Sequence, residues 1–322
     1  MRTQTKYRGT SNVMLLGCLL VLAPISELAA QTDPAAKGLP LERESLKVTS
    51  AEEIAPESLH PLAPALRLAR ETTELIDRSV QDYTCNLVMR ERIKGQLKYH
   101  EVAYLKVRRA QWDENHLLQP FSVYLHFLLP SKVKGREVLY VSDENNGEMI
   151  ARNGGDNNLQ DITLAMKPDS KRAMRGRHYP ITEIGIGNVI ERLIEEAELA
   201  MEGDRERREC RVEFIEGAKI EGRSCQCIQV TFPVRREYLK FHIARIFLDD
   251  ETKLPIRFAA YTWPREPGGP PRLMEEYTFL DLQVNVGLSD QDFDRQNPAY
   301  KFYQVEEDSL TQSNQAFPSD ED

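Results

Sequence analysis

Phe121-Ser122-Val123-Tyr124-Leu125-His126-Phe127-Leu128-Leu129 is the stretch that decides the fold. Phe121, Val123, Leu125, Phe127 and Leu129 stand at every second position, so extended chain places all five on one face, while a helix would scatter them around its axis. A strand this apolar on one side must lie against a core. On its N-terminal side, Tyr83 to Lys94 and Gln96 to Arg109, joined at Gly95, are rich in residues that favour extended chain. On its C-terminal side, Glu137 to Ser142 and Glu148 to Asn153 flank a turn at Asn145, Asn146 and Gly147, which makes an antiparallel meander. A second series of strands runs through Cys210 to Glu216, Cys225 to Pro233, Lys240 to Asp249, Leu254 to Trp263 and Leu273 to Val286, with Pro264 to Pro271 as an exposed Pro/Gly loop.

Two helices interrupt the strands. Leu62, Leu66, Ala69, Thr73, Ile76 and Val80 recur at three- and four-residue spacing. From about Asn188 to Met201, Val189, Ile190, Leu193, Ile194 and Ala197 fall on one side, and Glu191, Arg192, Glu195 and Glu196 on the other. Two helices against roughly nine or ten antiparallel strands, without alternating strand and helix units, predict an α+β fold with a large curved sheet. Two helices do not cover one face of such a sheet, which leaves apolar surface for a ligand.

The ends of the chain read differently. Arg2, Lys6 and Arg8 precede an apolar run from Val13 to Ile25, and Ala29-Ala30 follows, so residues 1–30 are expected to be a cleaved signal peptide that delivers the protein to the periplasm or beyond. Leu15-Leu16-Gly17-Cys18 resembles a lipobox, but the apolar run continues past it to Leu22, which favours ordinary secretion over lipidation at Cys18, and the run is too short to span a bilayer, which favours cleavage over an uncleaved anchor. Residues 31–61 read as a disordered leader, 62–303 as one domain and 304–322 as an acidic disordered tail. With 42 Lys plus Arg against 51 Asp plus Glu, the net charge of −9 repels phosphate backbones and anionic headgroups, so no nucleic-acid partner is expected.

The chemistry-bearing residues form no recognised catalytic or metal constellation. His60, His100, His116, His126, His178 and His242 are scattered, and His100-Glu101 lacks the second histidine of the zinc helix motif because Tyr104 occupies that position. No Gly-x-Ser-x-Gly elbow supplies a nucleophile, and Asp143, Asn145 and Gly147 lack the later glutamate of a calcium loop. Gly185 and Gly187 read as a tight turn into the second helix. Neither a cofactor nor a metal is expected, and the chain reads as a non-enzyme. Cys85, Cys210, Cys225 and Cys227 are candidate disulfide cysteines. A two-residue turn at Glu221-Gly222 would put Cys210 opposite Pro233 and out of reach of Cys225, while a wider loop near Lys219 would bring it towards Cys227, so the connectivity stays open. Arg90 with Arg92, and Arg245, are candidate headgroup contacts, set against cross-strand ion pairing with Glu275 and Glu276.

From Arg245 onward the chain carries Ile246-Phe247-Leu248-Asp249, Leu254-Pro255-Ile256-Arg257, Glu275-Glu276-Tyr277 and Asn285-Val286-Gly287-Leu288-Ser289-Asp290-Gln291-Asp292-Phe293-Asp294. With Tyr83-Thr84-Cys85 and Val133-Lys134-Gly135-Arg136-Glu137, these resemble the secreted domain-of-unknown-function family fifteen-seventy-one over roughly residues 65 to 303. The order of elements is similar, more distantly, to the lipoprotein carriers LolA and LolB. That likeness implies an unclosed β-barrel capped by helices, with acyl chains held in an apolar cavity. The expected function is therefore non-enzymatic binding or carriage of a lipid, a lipoprotein acyl chain or another apolar ligand on the concave face, with Val123, Leu125, Phe127, Ile228, Val230 and Phe232 as candidate lining. The alternative is an envelope interaction module that holds a protein partner through an edge strand or the Pro264 to Pro271 loop, and an unrecognised enzyme, which would need a polar pocket the sequence does not announce, ranks third.

Overall fold

A computed structural model describes residues 46–54, 59–155, 162–204 and 209–302. The expected signal peptide, Cys18, most of the leader and the acidic tail lie outside the described residues. In chain order the elements are β1 (Lys47–Ser50), α1 (Ala51–Ile54), α2 (Ala63–Ser79), β2 (Asp82–Ile93), β3 (Gln96–Leu97), β4 (Glu101–Arg108), β5 (Gln111–Asp113), β6 (His116–Gln119), β7 (Ser122–Leu129), β8 (Glu137–Val141), β9 (Met149–Arg152) and β10 (Thr163–Met166). They continue with α3 (Ile186–Gly203), β11 (Arg211–Ile220), β12 (Arg223–Thr231), β13 (Ile243–Asp249), β14 (Pro255–Thr262) and β15 (Arg272–Val284).

Thirteen strands form one sheet in the order β1-β11-β12-β13-β14-β15-β2-β4-β7-β8-β9-β10, with β3 paired to β2 at its end; β5 and β6 make a separate ribbon. Each half of the chain is a meander, and the last strand, β15, pairs antiparallel with β2 to join them. The outer strands β1 and β10 do not pair with each other, so the fold is α+β with a large, curved, unclosed antiparallel sheet. No described helix is long and apolar enough to cross a membrane.

Strand alternation gives the sheet two faces. Tyr83, Cys85, Leu87 and Met89 of β2, Leu105 and Val107 of β4, and Val123, Leu125 and Phe127 of β7 turn towards the helices and share one core with Ile186, Val189 and Ile190 of α3. Phe214, Ile228, Phe232 and Leu248 build a second cluster with Leu62. On the opposite face, Tyr124, Leu139, Val141 and Ile150 are covered by Phe293 and Phe302 of the C-terminal segment. Leu66 and Ile76 give α2 its buried stripe, as the three- and four-residue spacing requires.

Helix α3 starts where it does because Gly185 adopts φ +123°; a Cβ there would come within 2.4 Å of the Tyr83 hydroxyl oxygen. With glycine in place, that buried hydroxyl accepts the Ile186 N–H at 3.0 Å and satisfies one of the helix's open donors. The hairpin between β11 and β12 turns in two residues, Glu221 (φ 47°) and Gly222 (φ 81°), the geometry that matches strand twist.

Two expectations need correction here. Residues 47–54 are not leader: Lys47 to Ser50 pair with Glu216 to Glu213 of β11 and give hydrogen-bond partners to an otherwise open sheet edge. A four-residue strand is too short to leave a periodic signal. The second concerns the cysteines, since no disulfide joins Cys85, Cys210, Cys225 and Cys227 among the described residues. Cys225 and Cys227 share one face with Ile215 and Ile256, while Cys85 and Cys210 lie in the clusters on the other. The sheet stands between the two sets. A bulge between Ile215 and Ala218 also moves the pairing by one residue, placing Arg211 beside Thr231 and Cys210 next to Phe232 rather than Pro233. Burial pushes the Cys225 thiol up to about 11 and the Cys227 thiol up to about 12, so both stay protonated and act as small apolar side chains.

Candidate functional site

The helices leave part of the concave face uncovered, and a cavity of about 410 Å³ fills that gap. One wall is sheet: Leu87 and Met89 of β2, Leu125 and Phe127 of β7, Met149 and Ala151 of β9. The other is the segment from Pro168 to Gly185, which runs from β10 back to α3 and brings Ile181 and Ile184 to the cavity. These walls are apolar, but charge is concentrated among the remaining lining residues: five arginines (Arg136, Arg172, Arg175, Arg177, Arg192) against two glutamates (Glu91, Glu183).

The polar end is organised around two buried acids. Glu91 of β2 and Glu275 of β15 are register partners on the inner face, 4% and 0% exposed. Two like charges directly opposite would repel at short range. The consecutive residues Arg177, His178 and Tyr179 of the 168–185 segment answer both. His178 bonds Glu275 through Nδ1 and lies 3.1 Å from the Arg92 carbonyl through Nε2, and its backbone N–H donates to Glu91 at 3.0 Å. Tyr179 donates to Glu275 at 2.8 Å and Tyr277 to Glu91 at 2.5 Å. Arg177 bonds Glu101 and stands 3.6 Å from Glu91.

The protonation states follow from these partners. The bond to Glu275 raises His178 above the usual imidazole value despite burial, and with acceptors at both nitrogens it is satisfied only as the cation. Burial would push Arg177 down, but Glu101 and Glu91 overcome it and hold it above the ordinary value. Burial, then Glu275, raises Tyr179 and Tyr277, which keeps both as neutral donors. His178 therefore fastens the segment to the sheet and has no nitrogen to offer a substrate in the cavity. Glu91 Oε2 is buried and makes no hydrogen bond.

The six candidate lining residues separate. Leu125 and Phe127 border the cavity, whereas Val123 is buried one step further along β7, in the core. Ile228 and Val230 line a second hollow of about 70 Å³ between α2, α3 and the β12–β13 pair, well below the roughly 300–1,000 Å³ of ordinary ligand sites. Phe232 is buried in the second cluster and borders neither. The candidate headgroup arginines all belong elsewhere. Arg90 bonds the Lys98 carbonyl, Arg92 bonds the carbonyls of Leu273 and Gly95, and Arg245 bonds Gln229 and lies over the Tyr261 ring. On β2, the positions turned to the cavity are Leu87, Met89 and Glu91, so Arg90 and Arg92 face the other way. The Pro264 to Pro271 loop is largely exposed and borders neither cavity. Among the described residues, no group of three or more His, Cys, Asp or Glu is placed to hold a metal ion.

The 168–185 segment carries most of what sequence reasoning missed. Its sign in the sequence is charge: Lys171, Arg172, Arg175, Arg177 and His178 crowd together in an otherwise acidic chain.

Comparison with known proteins agrees with the sequence resemblance. The family described as "Protein of unknown function (DUF1571)" matches residues 80–302. No curated protein matches the chain. Solved structures similar to it include a DUF1329 family protein from Desulfovibrio piger, at 15% identity over 73% of this chain and 98% of that one, with a TM-score of 0.35. The lipoprotein LppX from Mycobacterium tuberculosis is 11% identical over 72% of this chain and 100% of its own, with a TM-score of 0.37. A LolA superfamily protein from Nitrosomonas europaea is 8% identical over 70% and 97%, with a TM-score of 0.25. Similarities this distant leave function to be read from the chain's own residues. The chain belongs to the DUF1571 family.

Proposed function

We propose that this member of the DUF1571 family is an exported binding protein that holds an acyl chain or another apolar ligand in the cavity between its sheet and the 168–185 segment. The observation that carries this reading is the cavity: about 410 Å³ with Leu87, Leu125, Phe127 and Phe279 on its walls, within the usual range of ligand sites. Apolar walls around that much space gain roughly 25 cal/mol for each Å² that an apolar occupant removes from water. Export is supported by the basic residues and apolar run of residues 1–30. Binding is favoured over catalysis because both ring nitrogens of His178 are committed to Glu275 and Arg92.

The test is uptake of the neutral apolar dye N-phenyl-1-naphthylamine. Saturable fluorescence enhancement at about one dye per chain, displaced by dodecan-1-ol, is the expected result. An unsaturable, weak signal that dodecan-1-ol leaves unchanged would remove the reading.

A further inference from the structure

Arg136, Arg172 and Arg175 border the cavity, yet none of them forms a hydrogen bond to a carboxylate or an ion pair among the described residues. The two other arginines there are engaged, Arg177 with Glu101 and Glu91, and Arg192 with Glu183. Arg136 is half-buried, and its guanidinium lies 5.6 Å from the centre of the Phe127 ring; Arg177 lies 5.5 Å from the same ring. Two cations on one aromatic ring repel each other. Burial pushes Arg136 below the ordinary arginine value, Glu101 offsets part of this and Arg177 adds to it. Glu101, the carboxylate that offsets it, is already bonded to Arg177, so the charge of Arg136 is only partly met and the cost of its burial falls when an anion reaches it. Arg172 and Arg175 are exposed, so they stand where the cavity meets water.

We infer that Arg136, Arg172 and Arg175 receive the anionic head of an amphiphile, a phosphate or carboxylate, whose chain occupies the apolar cavity they border. The assignment rests on the proposed binding of an acyl chain and adds the charge of its head. It also runs against the net charge of −9, which by itself predicts repulsion of anions. A local excess of cations at a low-dielectric opening outweighs a distant excess of acids that salt screens over about 10 Å. Arginine suits the role because its planar fork meets phosphate and carboxylate oxygens in pairs.

The experiment is calorimetric titration of the full chain with dodecyl phosphate, dodecan-1-ol and inorganic phosphate at one salt concentration. Dodecyl phosphate is expected to bind about tenfold or more tighter than dodecan-1-ol. The triple variant Arg136→Gln/Arg172→Gln/Arg175→Gln is expected to remove that preference, so that it binds dodecyl phosphate no more tightly than it binds dodecan-1-ol. Should the triple variant fold poorly, Arg172→Gln/Arg175→Gln alters only exposed side chains and is expected to lower the preference at least threefold, about 0.65 kcal/mol by RT ln 3. Equal affinity for phosphate and alcohol would overturn the headgroup assignment while leaving apolar binding intact. Binding of neither alkyl compound would overturn both. Inorganic phosphate binding as tightly as dodecyl phosphate would make this a site for the free anion and overturn its attachment to a lipid.

Discussion

Glu275→Ala lowers the free energy of unfolding by about 3 kcal/mol near pH 6. Glu275 is fully buried and serves two partners, the His178 ring and the Tyr179 hydroxyl. Alanine leaves a buried phenol donor unsatisfied and strips a cation of its counter-charge, each of which costs more than the bond was worth in water. The figure sits at the low end of the range for broken buried pairs because His178 retains some exposure and can shed its proton. Glu275→Gln keeps an acceptor for Tyr179 and should cost about half as much.

The same variant has a pH signature. Glu275 raises His178 above its usual 6.5, with burial opposing. A histidine raised on folding contributes stability that is complete below the unfolded pKa of about 6.5 and is lost as pH rises through the folded value. The gap between the wild-type chain and Glu275→Ala should therefore narrow from about pH 6 to about pH 9, as read from urea midpoints at both values. An equal gap at the two pH values would show that His178 is not a folded-state cation. Burial alone, the largest cause for both, holds Tyr179 and Tyr277 above the ordinary phenol value, so both stay neutral at pH 6 and pH 9 with or without Glu275, and His178 carries the pH-dependent part of the gap.

Ala151→Trp is expected to weaken apolar dye binding about thirtyfold or more while shifting the melting temperature by only a few degrees. Ala151 stands on β9 between Val138 and Leu164 and borders the cavity. Indole placed there occupies the ligand's volume, and a lost burial worth roughly 2 kcal/mol corresponds to about that factor. Overpacking a filled core costs roughly 1–3 kcal/mol, but here the side chain enters open space. Titration with N-phenyl-1-naphthylamine checks it; unchanged affinity would place the ligand elsewhere.

Much of the sheet was legible because strands announce themselves by alternation. Val123, Leu125 and Phe127 mark β7 and its inner face, and Gly95 marks one hairpin turn, whereas the turn between β11 and β12 stayed open between Glu221-Gly222 and a wider loop near Lys219 until the register decided it. Periodicity does not say which inner positions meet a packed neighbour and which meet empty space. Val123 and Phe127 are equivalent in pattern, and one is core while the other borders the cavity. The same limit sent Ile228 and Val230 to a hollow under the helices. Arg90 and Arg92 were misplaced by parity, since Leu87 and Met89 already committed the inner face of β2 to odd positions. The short strands β1 and β10 and the irregular 168–185 segment carry no period. Their positions depend on tertiary partners distant in sequence, as when His178 meets Glu275.

Native mass spectrometry of the full chain, purified from an envelope fraction and followed by lipid extraction, tests the central claim most directly. The expected result is a lipid or acylated species bound at close to one per chain, and its loss in Ala151→Trp. A clean mass for the unliganded chain, with no lipid in the extract and no dye taken up, would contradict the claim that this cavity exists to hold an apolar ligand.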